Sequence, residues 1–580
     1  MSVSALAALA GLNVLYLIVG ATFMWLVRDD PSDWIDVARY VGLAYMVGVV
    51  ATGSVWTLLL ISGSPFSLAL VLGLPALLTI GFIVAGKNRG RALPRGGRVE
   101  GGPQLLVTAV GVAATGVLLE GLFRRSRLEG LYEFDGWSFW VPKAKAIYEF
   151  GSLDKGFFTS LPGAAYPPLV PTLDAAAFHV MGSADVVTLH VQYWLFGVGL
   201  VWALAGLLAE RVPAWILWPL MLLLLLAPRI GRRFQIVEAD MFLDFLFVLA
   251  AVLLAVWLLE RERWRLMVAT ALLCGMVLTK REGLLLFAVL VAAALVASAR
   301  RWRTEWLPLG VAAAVVVAVA VPWRLWYIAH DVAGEGPSEG FFQRDNLKWF
   351  WPAVRRALDV FWDPGYWNLI VPIALAALLL AALARVETLV VFFGALLVLV
   401  VLGGVWATWV FSQPWITGDL GGNFIIRFMG SAGLLCVAAA ALLLGATWDT
   451  VMPARRGNRV GRRHVRLAAA IVAVPLLVYP VAAVAGGVSR FPTRRECVLP
   501  AVQGRPAAVV FGRVDSPTSA EELQKRVEAV GFTGTDLFAD GCGRWEVLVD
   551  DVPSIEVASQ VQEEARKVGL HPTLELATDG

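Results

Sequence analysis

Residues 241–259 read MFLDFLFVLAAVLLAVWLL, an apolar run whose one charged side chain is Asp244. Its length is close to the ~20 residues that a helix needs to cross ~30 Å of hydrocarbon. Similar runs recur along the 580-residue chain, which is 58% hydrophobic, whereas a soluble domain is nearer half apolar. Because these runs do not alternate in character as barrel strands do, the sequence predicts an α-helical polytopic membrane protein.

The apolar runs predict about fourteen transmembrane helices. The first, from Ser4 to Val27, has no basic segment before it and no cleavage site after it, so we expect it to remain as a span. The predicted spans lie near residues 4–27, 40–62, 66–86, 104–122, 187–210, 213–228, 241–259, 266–279, 283–299, 307–322, 368–385, 388–410, 427–445 and 467–488.

Basic residues in short loops predict the orientation. They cluster at 87–98, 300–303 and 455–463, which fall on one side of the membrane, taken as cytoplasmic. The parts that then face outward are the N-terminus, 123–186, 323–367, 411–426 and the tail from 489. Because the basic residues lie in short loops rather than on one folded face, we expect no nucleic-acid partner.

The chain changes character at Pro506, where short strands and amphipathic helices replace the apolar runs. Their order, β-α-β-β-α-β, predicts a small ferredoxin-like α+β module. Its two halves are similar, since one helix ends at Gly531 and the other at Gly569. The module resembles the SPOR family, which implies peptidoglycan binding. A general packing or partner domain of the same topology is the alternative.

The four cysteines have two different predicted roles. Cys274 and Cys436 lie inside apolar runs, where we expect them to pack in the core. Cys497 and Cys542 lie in the outward tail, where an oxidising compartment permits a disulfide. In the chain-entropy model such a bond stabilises the module by ~4 kcal/mol.

The outward segment 123–186 has tryptophans and charges at helical spacing, then a turn at Tyr166-Pro167-Pro168 and a second helix. This pattern is typical of two helices that lie on the membrane surface. We expect the side chains at the headgroup level to be Trp137 and Trp140, and those that reach water or lipid phosphate to be Lys143 and Lys145.

Acidic residues at the ends of apolar runs are candidates for chemistry, because an ionised carboxylate at membrane depth costs ~2.5–3.5 kcal/mol on insertion scales. Asp135 stands before the first surface helix, and its alternative role is an N-cap. Glu238 and Asp240 open the apolar run at 241. Asp244 lies one turn deeper, where an intramembrane partner is an equally good explanation.

Charged residues also interrupt the apolar runs at Thr279-Lys280-Arg281-Glu282-Gly283. The simple alternative there is a charged turn with its own ion pair. Arg229, Arg232 and Arg233 lie on the outward side against the orientation rule. They indicate either a miscount or an anion site, and ordinary lipid headgroups are one possible source of that anion.

An Asp135-Gly136-Trp137 segment, a YPPL segment, an outward EAD at 238–240 and a TKREG turn at 279–283 occur in this order on one side. Together they resemble the GT-C superfamily of membrane glycosyltransferases, which includes the protein O-mannosyltransferases and lipid A aminoarabinose transferases. The resemblance covers about 101–445. It implies three parts, which are N-terminal transmembrane helices at 1–100, a GT-C-like transmembrane catalytic domain at 101–488 and an extracytoplasmic domain at 489–580.

The resemblance also implies roles for residues. Asp135 would be the general base, and Asp240 a second acid that orients the acceptor or the sugar. The cations implied for the phosphate of a polyprenyl-phosphate donor are Lys280, Arg232, Arg233 and Arg427. Further residues implied in substrate binding are Glu238, Trp137, Lys143, Tyr166 and Glu282.

The predicted activity is therefore transfer of a sugar from a polyprenyl-phosphate donor to an envelope glycan, lipid or protein, at the outer face of a bacterial plasma membrane. Its partners would be this donor, the acceptor, the bilayer and, through the tail, peptidoglycan. No cofactor is predicted; some relatives bind a divalent ion, but the five histidines are scattered and support no metal. The rival function is a transporter or lipid-carrier flippase, and intramembrane charges suit that function equally well.

Overall fold

The computed structural model describes residues 3–28, 34–94, 96, 103–126, 131, 135–161, 163–330, 332, 348–411, 425–427, 429–451, 507–514, 516–539 and 545–576. Within these residues, nine helical stretches are long and apolar enough to cross a membrane. They are Val3–Val27, Val41–Ile61, Leu68–Asn88, Gln104–Arg124, Val186–Ala209, Ala239–Glu260, Glu282–Ala329, Glu387–Val410 and Ile425–Val451. The chain is therefore a helical membrane-spanning protein, and it carries a small C-terminal sheet.

The helices of the first half are α1 (Val3–Val27), α2 (Trp34–Arg39), α3 (Val41–Ile61), α4 (Leu68–Asn88), α5 (Pro103–Ser126), α6 (Val141–Phe150), α7 (Lys155–Ser160), α8 (Leu169–Met181), α9 (Val186–Ala209) and α10 (Ala214–Leu225). The next ten are α11 (Pro228–Arg233), α12 (Ala239–Glu260), α13 (Arg263–Thr279), α14 (Glu282–Ser298), α15 (Trp302–Ala329), α16 (Phe350–Trp362), α17 (Pro364–Trp367), α18 (Ile370–Leu383), α19 (Glu387–Phe411) and α20 (Gly430–Val451). A π-helical turn, Gly136–Trp140, leads into α6.

Several predicted spans differ from the helices observed. Helices α10, α13 and α18 have 12, 17 and 14 residues, shorter than a straight crossing requires. The predicted spans 283–299 and 307–322 form one apolar stretch, in which a 3₁₀ turn joins α14 to α15. The predicted span 467–488 lies outside the described residues. The count of about fourteen therefore stays a prediction.

Helix α12 lies at the centre of the bundle. Every residue from Ala239 to Leu258 is buried, and α12 packs against α13, α20, α14 and α9. Such a helix faces protein rather than lipid, which agrees with a sequence that is apolar on all sides after Asp244. Asp240 lies in its first turn and Glu260 at its last residue, about 30 Å apart at ~1.5 Å per residue. We call these the Asp240 end and the Glu260 end of the bundle.

The N-terminal helices belong to the same core. Helices α1 and α3 pack so closely that a Cβ atom on Gly20 or Gly48 would overlap the backbone of the facing helix. Asn13 of α1 donates a hydrogen bond of 2.7 Å to Gln192 of α9, which donates back at 3.0 Å. Cys274 and Cys436 are buried in this core, as predicted.

Much of the described part of segment 123–186 is buried in the protein, which contradicts the surroundings predicted for Trp140 and Lys143. Helix α8 is buried from Leu169 to Phe178, and it packs against α1, α3 and α6. Trp140 and Lys143 are buried as well, so neither reaches the headgroups or water. The predicted surroundings of Trp140 and Lys143 were wrong, because other parts of the protein cover this segment, with α1 and α3 packed against α8.

The C-terminal part has the predicted order of elements, which are β1 (Ala507–Val514), α21 (Pro517–Ala529), β2 (Asp536–Ala539), β3 (Trp545–Val552), α22 (Ile555–Lys567) and β4 (Thr573–Leu576). The strands form an antiparallel sheet of order β2-β3-β1-β4. Its core contains Val509, Phe511 and Val547 of the sheet. Ser516 and Ser554 cap the two helices by accepting backbone N–H bonds.

Candidate functional site

A cluster of charged side chains from distant parts of the sequence meets at the Asp240 end. Its members are Asp135, Arg229, Arg233, Glu238, Asp240, Asp244, Lys280 and Arg427. All are buried except Arg427, which is partly buried. Removing so many charges from water is unfavourable unless they pair with one another or with a ligand.

Asp240 is the centre of the cluster. Lys280 Nζ donates to its Oδ1 at 2.6 Å, and Arg427 Nε donates to its Oδ2 at 2.6 Å. Arg233 Nη1 lies 2.8 Å from the same Oδ2. Because Asp240 also lies in the first turn of α12, the helix dipole adds a further positive potential. Three cationic side chains therefore contact one carboxylate, whose single negative charge does not neutralise all three.

Arg427 joins the two candidate catalytic acids. While its Nε donates to Asp240, its Nη2 donates to Asp135 Oδ2. Asp135 makes no N-cap hydrogen bond, so the alternative role proposed for it is not observed. A Cβ atom on Gly136 would lie 3.1 Å from the carbonyl oxygen of Val237. Glycine therefore lets the Asp135 segment lie directly against the segment that leads into α12.

Arg233 is surrounded by three acids. Besides Asp240, it lies 3.7 Å from both Glu238 and Asp244. Asp244 also accepts a hydrogen bond of 2.5 Å from Ser431, so it has the intramembrane partner considered for it. The side chain of Arg233 is only 2% exposed, and its nearest charged neighbours are these acids rather than the outer surface of the bundle. The side chain of Arg232 lies outside the described part.

The pKa values of charged residues just outside the spans are shifted by burial and by neighbouring charges. Burial raises the pKa of Glu238 to about 7, although Arg427 opposes the shift. Burial opposes the charge of Lys280, but attraction from Asp240 and Glu282 outweighs it and raises the pKa. Lys280 therefore stays a cation at every physiological pH, whereas Glu238 changes charge near neutrality.

Aromatic rings form one wall of the site. The Tyr166 ring lies 5.3 Å from Lys280 Nζ and 5.0 Å from the guanidinium carbon of Arg281. Trp140 is stacked on the same ring at 5.5 Å and 16°, and the Phe139 ring lies 5.8 Å from it. Burial raises the pKa of Tyr166 to about 12, so the phenol is neutral. A flat aromatic surface therefore lies beside the cations, as in sites that hold sugar rings or other partly apolar groups.

Two residues predicted to bind substrate have surroundings that differ from each other. Trp137 is 52% exposed, unlike its buried neighbour Trp140. Lys143 does not face water as predicted, because its Nζ donates to the carbonyl oxygen of Gly163. This bond holds the turn that leads to Tyr166, so Lys143 positions the aromatic wall.

The turn at 279–283 is not a self-contained ion pair. Lys280 lies 3.7 Å from Glu282 but only 2.6 Å from Asp240. Glu282 Oε2 is buried without a hydrogen-bond partner among the described residues. The turn therefore contributes its lysine to the cluster from a neighbouring helix. The predicted disulfide between Cys497 and Cys542 lies outside the described residues.

No group of three or more His, Cys, Asp or Glu side chains in the described ranges is placed to hold a metal ion. The acids of the cluster face cations instead: Asp135 faces Arg427, and Asp240 faces three basic side chains. The arrangement suits binding of an anion and movement of a proton.

Arg229 was predicted only as one of three outward arginines that indicate either a miscount or an anion site, and the structure places its side chain in the cluster. Its side chain is buried on α11, one helical turn before Arg233, and it interacts electrostatically with Glu238 and Asp240. The available signal was the spacing, because residues four apart on a helix share a face. Comparisons of the chain with protein-family models, with curated proteins and with solved structures each found no match.

Proposed function

We propose that the protein is a GT-C-type membrane glycosyltransferase, which transfers a sugar from a polyprenyl-phosphate donor to an acceptor of the cell envelope. The observation that carries this proposal is the bridge from Arg427 to both Asp135 and Asp240, at one end of a membrane-spanning bundle. It supports the proposal because two carboxylates and a phosphate-binding type of cation meet at the end of a bundle where a lipid-borne donor would present its phosphate.

The reaction requires two functions from the protein. An acceptor hydroxyl attacks the anomeric carbon, and the bond from that carbon to the phosphate oxygen breaks with its electron pair leaving on the phosphate. Asp135 accepts the hydroxyl proton, an effect typically worth ~10²–10⁴-fold in rate. Lys280, Arg233 and Arg427, with Arg232, stabilise the departing phosphate.

The remaining residues hold the substrates. Asp240 orients the acceptor or sugar, and the cations around it fix its position. Tyr166 offers its ring to the sugar, with Glu238 and Glu282 as hydrogen-bonding groups nearby. Trp137 and Lys143 act from outside the cluster, the first at the surface and the second through the Gly163 turn. The chain has no glycine-rich nucleotide loop, which supports a lipid-linked donor.

The finer architecture is part of the same proposal. About fourteen spans place the N-terminus and the C-terminal domain outside a bacterial plasma membrane, with the Asp240 end facing outward. The strand order β2-β3-β1-β4 with two helices supports a ferredoxin-like domain. A SPOR-like role in peptidoglycan binding would keep the enzyme close to envelope acceptors.

Transfer of radiolabelled sugar tests the function. Membranes that lack the native protein receive wild type, Asp135→Asn or Asp36→Asn at matched amounts, together with a panel of polyprenyl-phosphate sugars. Asp36 is the control, because it pairs with Arg28 at 2.5 Å, away from the charged cluster. We expect transfer with wild type and Asp36→Asn, and a rate ~10²–10⁴-fold lower with Asp135→Asn. No transfer from any donor would reject the proposal, and equal rates would remove Asp135 from catalysis.

A second candidate function is favoured by one observation. Asp174 of α8 is fully buried among apolar helices, and it accepts a hydrogen bond of 3.1 Å from Tyr193. Its Oδ1 has no hydrogen-bond partner among the described residues. Buried ionisable groups of this kind also occur on transport pathways, which suits a transporter or lipid-carrier flippase. Flipping of a labelled polyprenyl phosphate in vesicles, lost in Asp174→Asn, would support this candidate.

A further inference from the structure

Arg229 differs from the other cations of the cluster. Its side chain is 8% exposed, and its Nε is buried without a hydrogen-bond partner. It makes no hydrogen bond or ion pair with any residue in the described ranges. By contrast, Lys280 and Arg427 each bond directly to a carboxylate. Arg229 thus brings a buried positive charge that no neighbouring carboxylate contacts.

The surroundings make this charge unfavourable in the unliganded protein. Burial lowers the pKa of Arg229 to about 9, and repulsion from Arg233 adds to the effect. Glu238 and Asp240 attract the guanidinium but do not contact it within ion-pair distance. An uncompensated buried charge in a site indicates that a ligand supplies the counter-charge.

The geometry points to a second unsatisfied group beside Arg229. Arg233 lies four residues later on α11, so the two side chains share a face of this helix. Arg233 Nη2 is buried and also lacks a hydrogen-bond partner among the described residues. Two guanidinium groups with N–H donors that lack acceptors among these residues match the several oxygens of one phosphate. Phosphate oxygens accept bidentate hydrogen bonds from a guanidinium group.

We propose that Arg229, assisted by Arg233, binds the phosphate ester of a lipid-borne ligand. The identity of that ligand as the sugar donor rests on the proposed function, whereas the anion site does not. The site favours an anion over a neutral headgroup, because a neutral headgroup brings no charge to pair with Arg229.

Binding of polyprenyl phosphate to the purified full chain in nanodiscs of neutral lipid tests the site without turnover. The variants are Arg229→Gln, Arg229→Lys and, as a matched control, Arg355→Gln, whose arginine is exposed on α16. We expect the apparent Kd to rise at least tenfold for Arg229→Gln, and to rise less for Arg229→Lys, which keeps the charge but loses the fork. The control should bind as wild type does. Equal affinity of wild type and Arg229→Gln would overturn the proposal.

Two further measurements separate this role from a structural one. In the absence of ligand, Arg229→Gln should unfold at a higher temperature than wild type, because the variant no longer buries an unpaired charge. A structural arginine would give a lower unfolding temperature, and this result would overturn the proposal. Nanodiscs with phosphatidylglycerol instead of polyprenyl phosphate identify the source of the anion. Equal Arg229-dependent binding of both lipids would overturn a site for the polyprenyl ligand.

The two proposals fail separately. Binding that depends on Arg229 without any sugar transfer would retain the anion site and reject the transferase. Sugar transfer with an unchanged donor KM in Arg229→Gln would retain the transferase and reject Arg229 as its phosphate ligand.

Discussion

Helix α12 carries a cluster of charged side chains at each end, and the two clusters are built differently. At the Glu260 end, Arg265 donates to Glu210 through both Nη atoms, at 2.9 and 2.6 Å, and to Glu262 through Nε at 2.8 Å. Its Nη2 also lies 2.7 Å from Glu260. At the Asp240 end, Arg229 contacts no carboxylate of the described residues.

The difference distinguishes a network that holds helices together from one that is open to a ligand. Every nitrogen of Arg265 has a carboxylate partner, and its partners come from the α9–α10 connection and the α12–α13 connection. Such a closed network fixes the helix ends. At the Asp240 end, some buried N–H donors lack acceptors within the described ranges. This lowers the stability of the protein and leaves those donors available to an anion.

Breaking the closed network should give the largest change in stability. Arg265→Gln leaves Glu210, Glu260 and Glu262 without their shared partner, so we expect a loss of about 3 kcal/mol in the free energy of unfolding, the low end of the range for a buried pair because these acids are partly exposed. Denaturant unfolding in detergent micelles measures this loss. The rate of sugar transfer per folded molecule should equal that of wild type. A loss below about 1 kcal/mol, or slower transfer by the folded variant, would contradict the comparison.

The pH dependence of stability should have opposite signs at the two ends. Burial raises the pKa of Glu238 to about 7, so the folded chain holds a proton that the unfolded chain loses near pH 4.5. Its contribution to stability is therefore complete below pH 4.5 and is lost as the pH rises to about 7, a change of roughly 3 kcal/mol. Glu238→Gln should abolish this loss, and unfolding curves between pH 4.5 and 8 measure it.

Glu210 provides the matched residue at the Glu260 end. Burial opposes its charge, but Arg265 outweighs burial and lowers the pKa of Glu210. Its contribution to stability is present above the unfolded pKa and is lost as the pH falls through the folded pKa. Glu210→Gln should therefore be destabilising at neutral pH, with a difference from wild type that shrinks in acid. The same sign of pH dependence for both variants would remove the distinction between the ends.

The residues of the open cluster were largely visible in the sequence. Asp135, Asp240, Lys280 and Arg427 all stand where apolar runs begin or end, and charges are rare enough there to attract notice. The alternation of spans and loops then predicts that they share one side. The structure brings all four together, because Arg427 contacts both acids and Lys280 contacts Asp240.

What the sequence did not reveal depends on which helices cover one another. The burial of Lys143 and of α8 results from contact with α1 and α3, and no local pattern encodes that contact. The role of Arg229 likewise depends on which charges lack partners, a property of the folded arrangement. The length of one helix was also predicted wrongly. The run at 213–228 is apolar throughout, but its helix ends at Leu225.

An exposed ion pair completes the comparison by separating the effect of burial from that of charge. Arg300 Nη1 lies 2.8 Å from Glu387, a distance as short as those at the Glu260 end, but the two side chains are 89% and 68% exposed. Water screens this pair and the side chains lose entropy when they meet, so Glu387→Gln should change the free energy of unfolding by no more than about 0.5 kcal/mol. The test is the midpoint of denaturant unfolding for both Glu387→Gln and Arg265→Gln, measured at about 50 mM and about 500 mM salt. Salt at these concentrations screens exposed charges over distances on the order of 10 Å. Because the Arg265 side chain is only 2% exposed, although its carboxylate partners are 23–46% exposed, most of its loss should persist at high salt. A loss for Glu387→Gln that matched Arg265→Gln would mean that contact distance, rather than burial, decides how strongly a charged cluster holds this bundle.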